Sequence, residues 1–154
     1  MRHNRLLFTV LTVILNFFAF DAHSQSYEIE CLNVEQDGSQ TLRVWGEGRN
    51  KVDAVEQAKK NAVNEILFHG VLKGNKGYNQ RPIVTVVNAR ERYQEYFDSF
   101  FMDKGEYTNY VSMKDRRIGS TVKILGPTQV KCCITVRVLC PQLRAKLKAD
   151  GIIK

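Results

Sequence analysis

The chain has 154 residues, 44% hydrophobic and 25% charged, with three prolines and a formal net charge of +7. This length and balance exclude a collagenous or low-complexity chain and are enough for one folded domain with a single core. The positive charge admits anionic lipid, polysaccharide or nucleic acid as a partner. The basic residues are scattered, however, as Arg49/Lys51, Lys59/Lys60, Arg90/Arg92, Arg116/Arg117 and Arg144/Lys146/Lys148, which reads first as a solvated surface.

Met1-Arg2-His3-Asn4-Arg5 is basic, and Leu6 to Phe20 is apolar apart from Thr9, Thr12 and Asn16. Ala22-His23-Ser24 then sets small residues at the two positions a signal peptidase reads. The three-part pattern predicts a signal peptide over residues 1–24, cleaved before Gln25. Its apolar run of about 15 residues falls short of the ~20 that span a hydrocarbon core. No lipid-acceptor cysteine follows, because Cys31 sits in Glu28-Ile29-Glu30-Cys31, where charged residues replace the small and apolar ones of a lipoprotein signal. Residues 25–154 are then one exported domain with no transmembrane segment, and nucleic acid is not an expected partner.

Tyr27 to Val34 reads as a strand, Asp37-Gly38-Ser39 as a turn, and the alternating Thr41-Leu42-Arg43-Val44-Trp45 as a second strand. Gly46-Glu47-Gly48 follows as a tight turn into a helix. Asn50 is the expected N-cap, with Asp53 where a capping-box acid sits. Val55, Ala58, Ala62, Val63 and Ile66 carry the helix through Phe68 on 3–4 spacing. Ala54, Ala58 and Ala62 form a small-residue stripe that lets it approach a sheet closely. His69-Gly70 ends it, with the glycine left-handed. Gly70, Gly74, Asn75, Gly77 and Asn79 read as a loop. Ile83-Val84-Thr85-Val86-Val87 is a short strand or an extended segment beneath the next helix.

That second helix is expected to start after Asn88 and run to Met102. Tyr93, Tyr96, Phe97, Phe100 and Phe101 fall along it at i, i+3, i+4, i+7 and i+8. Such a stripe packs a core or meets a partner or a sugar. Phe97 and Phe100 are expected in the core. Tyr93, Tyr96 and Phe101 are expected nearer a rim, as the candidate partner surface. Tyr107 to Ser112 reads as a brief strand. Arg117 to Leu125 and Gln129 to Leu139 read as a hairpin around Gly126-Pro127-Thr128. Pro141 starts a last helix with Leu143 and Leu147 on one side, closed by Gly151, and Ile152-Ile153 packs back on the core. The order is β-β-α, an aromatic helical insertion over about 70–112, then β-β-α. It predicts an α+β fold, a two-layer sandwich of mainly antiparallel sheet with helices on one face.

The four cysteines are Cys31, Cys132, Cys133 and Cys140. Disulfides persist in exported proteins, and Cys31 lies in a different expected strand from the others. Alternation puts Cys132, Ile134, Val136, Val138 and Cys140 on the core face and Cys133 on the other. A bridge from Cys31 to Cys132 or Cys140 is therefore expected. Cys-Cys-x6-Cys matches no usual zinc ribbon, and no metal site is expected.

A dinucleotide fingerprint needs a third glycine where Lys51 stands, and Glu47 puts negative charge where a phosphate would sit. No Gly-Lys-Ser/Thr marks a P-loop. His69, the one histidine after the signal, has no serine or cysteine at motif spacing, and no Gly-x-Ser-x-Gly elbow exists. Asp98, Asp103 and Glu106 mark no glycosidase pair. Cys133, beside Lys131 and Arg137, is the best thiol nucleophile and reads better as a disulfide or surface cysteine. No catalytic residue and no cofactor are expected.

The stretches "WGEGRNKVDAVEQAKKNAVNEIL" and "ITVRVLCPQLRAKLKADGII" resemble small exported α/β domains of Gram-negative envelopes. They look like the N-terminal domain of the flagellar T-ring assembly protein and related small surface lipoproteins. "NAVNEILFHGV" and "YQEYFDSFF" are similar to uncharacterised small exported proteins of Bacteroidetes. The resemblance implies a periplasmic, cell-surface or extracellular domain of a Gram-negative bacterium, and it carries over no catalytic residue. The expectation is a non-enzymatic binding or assembly module whose partner is another envelope protein or itself. The alternative is a saccharide or anionic-polymer binding protein.

Overall fold

A computed structural model describes residues 29–71, 74, 80–113, 121–126 and 128–154. The signal-peptide reading lies outside these residues, as do parts of the expected first strand, the glycine-rich loop and the late hairpin. The strands are β1 (Ile29–Val34), β2 (Gln40–Gly48), β3 (Val111–Ser112), β4 (Thr121–Gly126) and β5 (Gln129–Val138). The helices are α1 (Lys51–Phe68), α2 (Ala89–Arg92), α3 (Gln94–Phe100) and α4 (Cys140–Ala149). Together they form a mixed α+β fold, an antiparallel five-stranded sheet with α1 packed against it.

The sheet runs β1-β2-β5, and β5's other edge is shared by β3 and β4. Asp37 starts the β1–β2 turn by accepting hydrogen bonds from Ser39 N and Oγ at 2.9 and 3.0 Å, and Gly38 completes it at φ 82°. β2 pairs with β5 along its whole length, from Gln40↔Val138 to Gly48↔Val130. Gly46-Glu47-Gly48 is therefore strand, not the expected turn, and the chain turns at Arg49 and Asn50. Neither glycine has a positive φ. Their role is close approach: a Cβ on Gly46 would stand 2.7 Å from Ala58 Cα, and one on Gly48 2.6 Å from Ala54 N.

α1 presents Ala54, Ala58 and Ala62 to the sheet, all fully buried, so small side chains meet glycine across the layer. Asn50 caps the helix, its Oδ1 accepting from Val52 N and Asp53 N at 2.9 and 3.0 Å. Asp53 turns to Arg49 Nε at 3.3 Å. Buried Asn61 donates to Trp45 O at 3.0 Å, a side chain-to-backbone tie between helix and sheet. At the far end Gly70 takes φ 78°. Ile83 N and Val84 N donate to the carbonyls of Ile66 and Leu67 at 3.0 and 2.9 Å. Segment 83–87 is thus the extended alternative, and part of it satisfies carbonyls that a helix end leaves open.

The single aromatic helix expected from 88 to 102 is two short ones, interrupted at Tyr93 (φ −117°, ψ 37°). Asn88 does not cap with its side chain but adopts a left-handed conformation at φ 54°. Phe97 and Phe100 are buried, while Tyr93, Tyr96 and Phe101 are half-buried. A 3-10 helix, Glu106–Tyr110, stands where a strand was expected and leads into β3. α4 begins at Cys140 with Pro141 in its first turn. Its Leu143 and Leu147 join one core cluster with Ala58, Val136 and Phe97. Gly151 (φ 72°) ends it, and Ile152 N reaches back to Leu147 O at 2.9 Å. That pairing of the residue two past the cap with a carbonyl five residues earlier is the Schellman arrangement.

Candidate functional site

Four segments distant in sequence meet beside the end of β1. They are Val34, the extended stretch from Gln80 to Val86, the α2–α3 junction at Arg92 and Tyr93, and α4 with the terminal residues 151–154. They line an open groove of about 830 Å³, within the ~300–1,000 Å³ usual for ligand sites. Its floor is apolar. Ile83 and Ile152 are buried there, held by the backbone hydrogen bonds just described, and Val34, Pro82 and Ile153 lie half-buried around them. The rim carries Arg81, Arg92, Arg144 and Lys154, all exposed, and among the described residues no acidic side chain lines the groove.

Several cations elsewhere in the protein are paired with carboxylates. Arg43 meets Glu30 at 3.0 Å, Lys60 meets Asp103 at 2.6 Å, Lys131 meets Glu47 at 3.0 Å and Lys146 meets Glu106 at 2.8 Å. Among the described residues, Arg81, Arg92, Arg144 and Lys154 have no such carboxylate, a state they share with Lys51, Arg90, Lys104, Lys123 and Lys148, but only these four gather around one groove. A second cleft, of about 460 Å³, lies at the start of α1. It mixes Glu47, Asp53, Glu56 and Asp103 with Arg49, Lys60 and Lys104, and ion pairs join Arg49 to Asp53 and Lys60 to Asp103. Of the β2 glycines, Gly48 borders this cleft, whose carboxylates make it a poor setting for a phosphate.

Of the expected partner surface, only Tyr93 lines the groove. Tyr96 stacks against Phe100 and donates its hydroxyl to Asp150 at 2.6 Å. Burial first, and then that hydrogen bond, raise its pKa. Phe101 packs on Phe100 and Tyr107, with Arg90 over its ring. Tyr107 is fully buried and hydrogen-bonded to Glu56, and the same two causes raise its pKa. These tyrosines tie the insertion to α1 and α4.

All four cysteines are free thiols and buried, so the expected bridge is not formed in this structure. The sheet register sets neither proposed partner directly across from Cys31. Cys31 faces Leu42, which faces Val136. Cys132 is four residues further along β5 and two strands across, roughly 13 Å by 10 Å away, beyond the ~7 Å Cα span of a disulfide. Cys140 remains. Burial pushes its thiol up to about 11 and raises those of Cys31 and Cys132, the opposite of an activated nucleophile. Cys133 points away from the core as expected, yet it is 7% exposed rather than a surface thiol. His69 is exposed and pairs with Glu65 at 3.1 Å, one helical turn back. Among the described residues, no group of three or more His, Cys, Asp or Glu is placed to hold a metal.

Comparison of the chain with protein-family models, curated proteins and solved structures finds no match. Among the described residues no helix is long and apolar enough to cross a membrane. The groove residues missed by sequence reasoning, Arg81 and Lys154 above all, carry no local motif. Only their convergence in space marks them.

Proposed function

We propose that this chain is an exported, non-enzymatic binding or assembly module of a Gram-negative cell envelope, and that it works by holding a partner in the basic groove. The observation that carries this reading is the groove itself, an apolar floor fixed by backbone hydrogen bonds beneath a rim of cations. The basic, apolar and small-residue regions of the first 24 residues support export. The resemblance to small envelope domains supports an accessory role. Saccharide or anionic-polymer binding is the second reading, favoured by the rim charge and by one ring, that of Tyr93.

A photo-crosslinking residue placed at Arg92, and a control placed at Gln57 on α1, test the groove in the cells that make the protein. Adducts with a defined envelope component from position 92 alone are expected, on protein whose N-terminus is Gln25. Identical adducts from both positions, or an intact Met1 terminus, would sink the reading. An exported chain can also hold a disulfide from Cys31, and Cys140, at the start of α4 rather than along β5, is the partner proposed. Such a bridge closes a loop of about 100 residues and adds several kcal/mol through the unfolded state. Non-reducing peptide mapping of envelope-derived protein is expected to show that pair, and four free thiols would refute it.

A further inference from the structure

We infer that the groove recognises an acidic peptide segment in extended conformation, with carboxylates alternating with aliphatic side chains. This rests on the groove being the binding site. The charge is the first reason: Arg81, Arg92, Arg144 and Lys154 ring the groove, no acidic side chain lines it, and no carboxylate pairs with any of them among the described residues. Three of the four are arginines, whose planar forks match carboxylates with two parallel hydrogen bonds. The net charge of +7 makes a second copy of the chain repel rather than attract at long range.

The floor is the second reason. Ile83, Ile152 and Ile153 are aliphatic, and sugar recognition favours aromatic faces. Among the described residues Tyr93 is the only aromatic lining the groove, and Tyr96 and Phe101 are occupied by ring contacts inside the fold. A compact phosphate also matches poorly, since the cations come from separate segments around about 830 Å³ of space. An extended peptide presents successive side chains to opposite sides. One set can enter the aliphatic floor while the other stays with the cations at the rim.

The test uses the purified chain and four probes. These are a labelled peptide of alternating Glu and Leu, poly-Glu of equal length, a sulfated oligosaccharide, and vesicles containing phosphatidylglycerol. The alternating peptide is expected to bind tightest, with an affinity that falls as salt rises. Arg92→Glu with Arg144→Glu should weaken it by about tenfold or more, roughly the loss of one good charged contact. Ile153→Ser should weaken it about threefold with the salt slope unchanged. Lys104→Glu, away from the groove, should have little effect. Circular dichroism confirms that each variant is folded, and Arg81→Gln replaces the double variant if that one is not.

If poly-Glu binds as tightly as the alternating peptide, if Lys104→Glu weakens binding as much as the double variant, or if the oligosaccharide or the vesicles bind more tightly through the groove, the inference is overturned. Crosslinking from position 92 with no preference for the alternating peptide would leave the binding-module reading standing and sink the peptide. Loss of position-specific crosslinking would sink both.

Discussion

At Gly46 the missing side chain is a packing requirement. A methyl group there would meet the backbone of α1 at Ala54 and Ala58, which cannot yield as a flexible side chain can. Gly46→Ala should therefore destabilise by about 2 kcal/mol or more, in the range of overpacking. Gly126, with nothing within 4 Å of an added Cβ, should tolerate alanine. Its urea midpoint should correspond to a change within about 0.5 kcal/mol. Equal shifts for the two variants would refute the close-approach role. Asp150 is the residue through which pH acts on the α4 terminus. The Tyr96 hydrogen bond, and then Lys146 at 3.2 Å, hold its pKa below the ordinary value against the opposing effect of burial. A carboxylate whose folded pKa is depressed adds stability above its unfolded pKa of about 3.9, and loses it as pH falls through the folded value. Parent and Asp150→Asn should differ in stability at neutral pH and converge as pH falls through the depressed folded pKa of Asp150. A difference that stays constant with pH would show that the ionised carboxylate is not what matters.

At the scale of elements, α1 was legible because its signals are local. Asn50 caps it, alanines recur every fourth residue, and Gly70 ends it in the left-handed conformation. The aromatic helix misled for a physical reason. Asparagine before an acidic turn signals an N-cap, but asparagine also tolerates the left-handed region, and Asn88 uses the second property. Glycine is ambiguous in the same way, marking either a turn or a close approach, and β2 uses it for the latter. The packing of the stripe follows from periodicity even though the helix is interrupted. Phe97 is 1% exposed and meets Phe68 edge-on at 4.9 Å. Phe97→Ala should cost about 3–5 kcal/mol, the usual penalty for a buried phenylalanine. Tyr93→Ala, at the groove rim, should cost under about 1 kcal/mol while weakening groove ligands. Urea melts beside peptide titrations separate the two roles. A Tyr93 variant as unstable as the Phe97 variant would make Tyr93 part of the core instead.

For the whole molecule, the α+β class and the antiparallel sheet were readable because alternation and the 3.6-residue period are properties of neighbouring residues. The groove was not, since Val34, Arg81, Arg92, Arg144 and Lys154 span most of the chain and come together only once the sheet, the insertion and α4 are packed. The same convergence predicts how the protein unfolds. Phe97, Phe100 and Tyr107 of the insertion share one buried cluster with Val44 of β2, Val136 of β5 and Leu143 of α4. Tyr96 reaches Asp150 of the α4 cap at 2.6 Å, and Tyr107 is hydrogen-bonded to Glu56 of α1. No element can then leave without exposing core that the others need, so unfolding should be all-or-none. Trp45, the only tryptophan, reports on the sheet. Far-ultraviolet circular dichroism reports mainly on the helices. In urea the two transitions should coincide in midpoint and slope. An insertion that melts first, leaving Trp45 emission unchanged while helical signal is lost, would show that the aromatic segment is a separate unit docked on the sheet, and that a groove depending on Arg92 and Tyr93 can open without global unfolding.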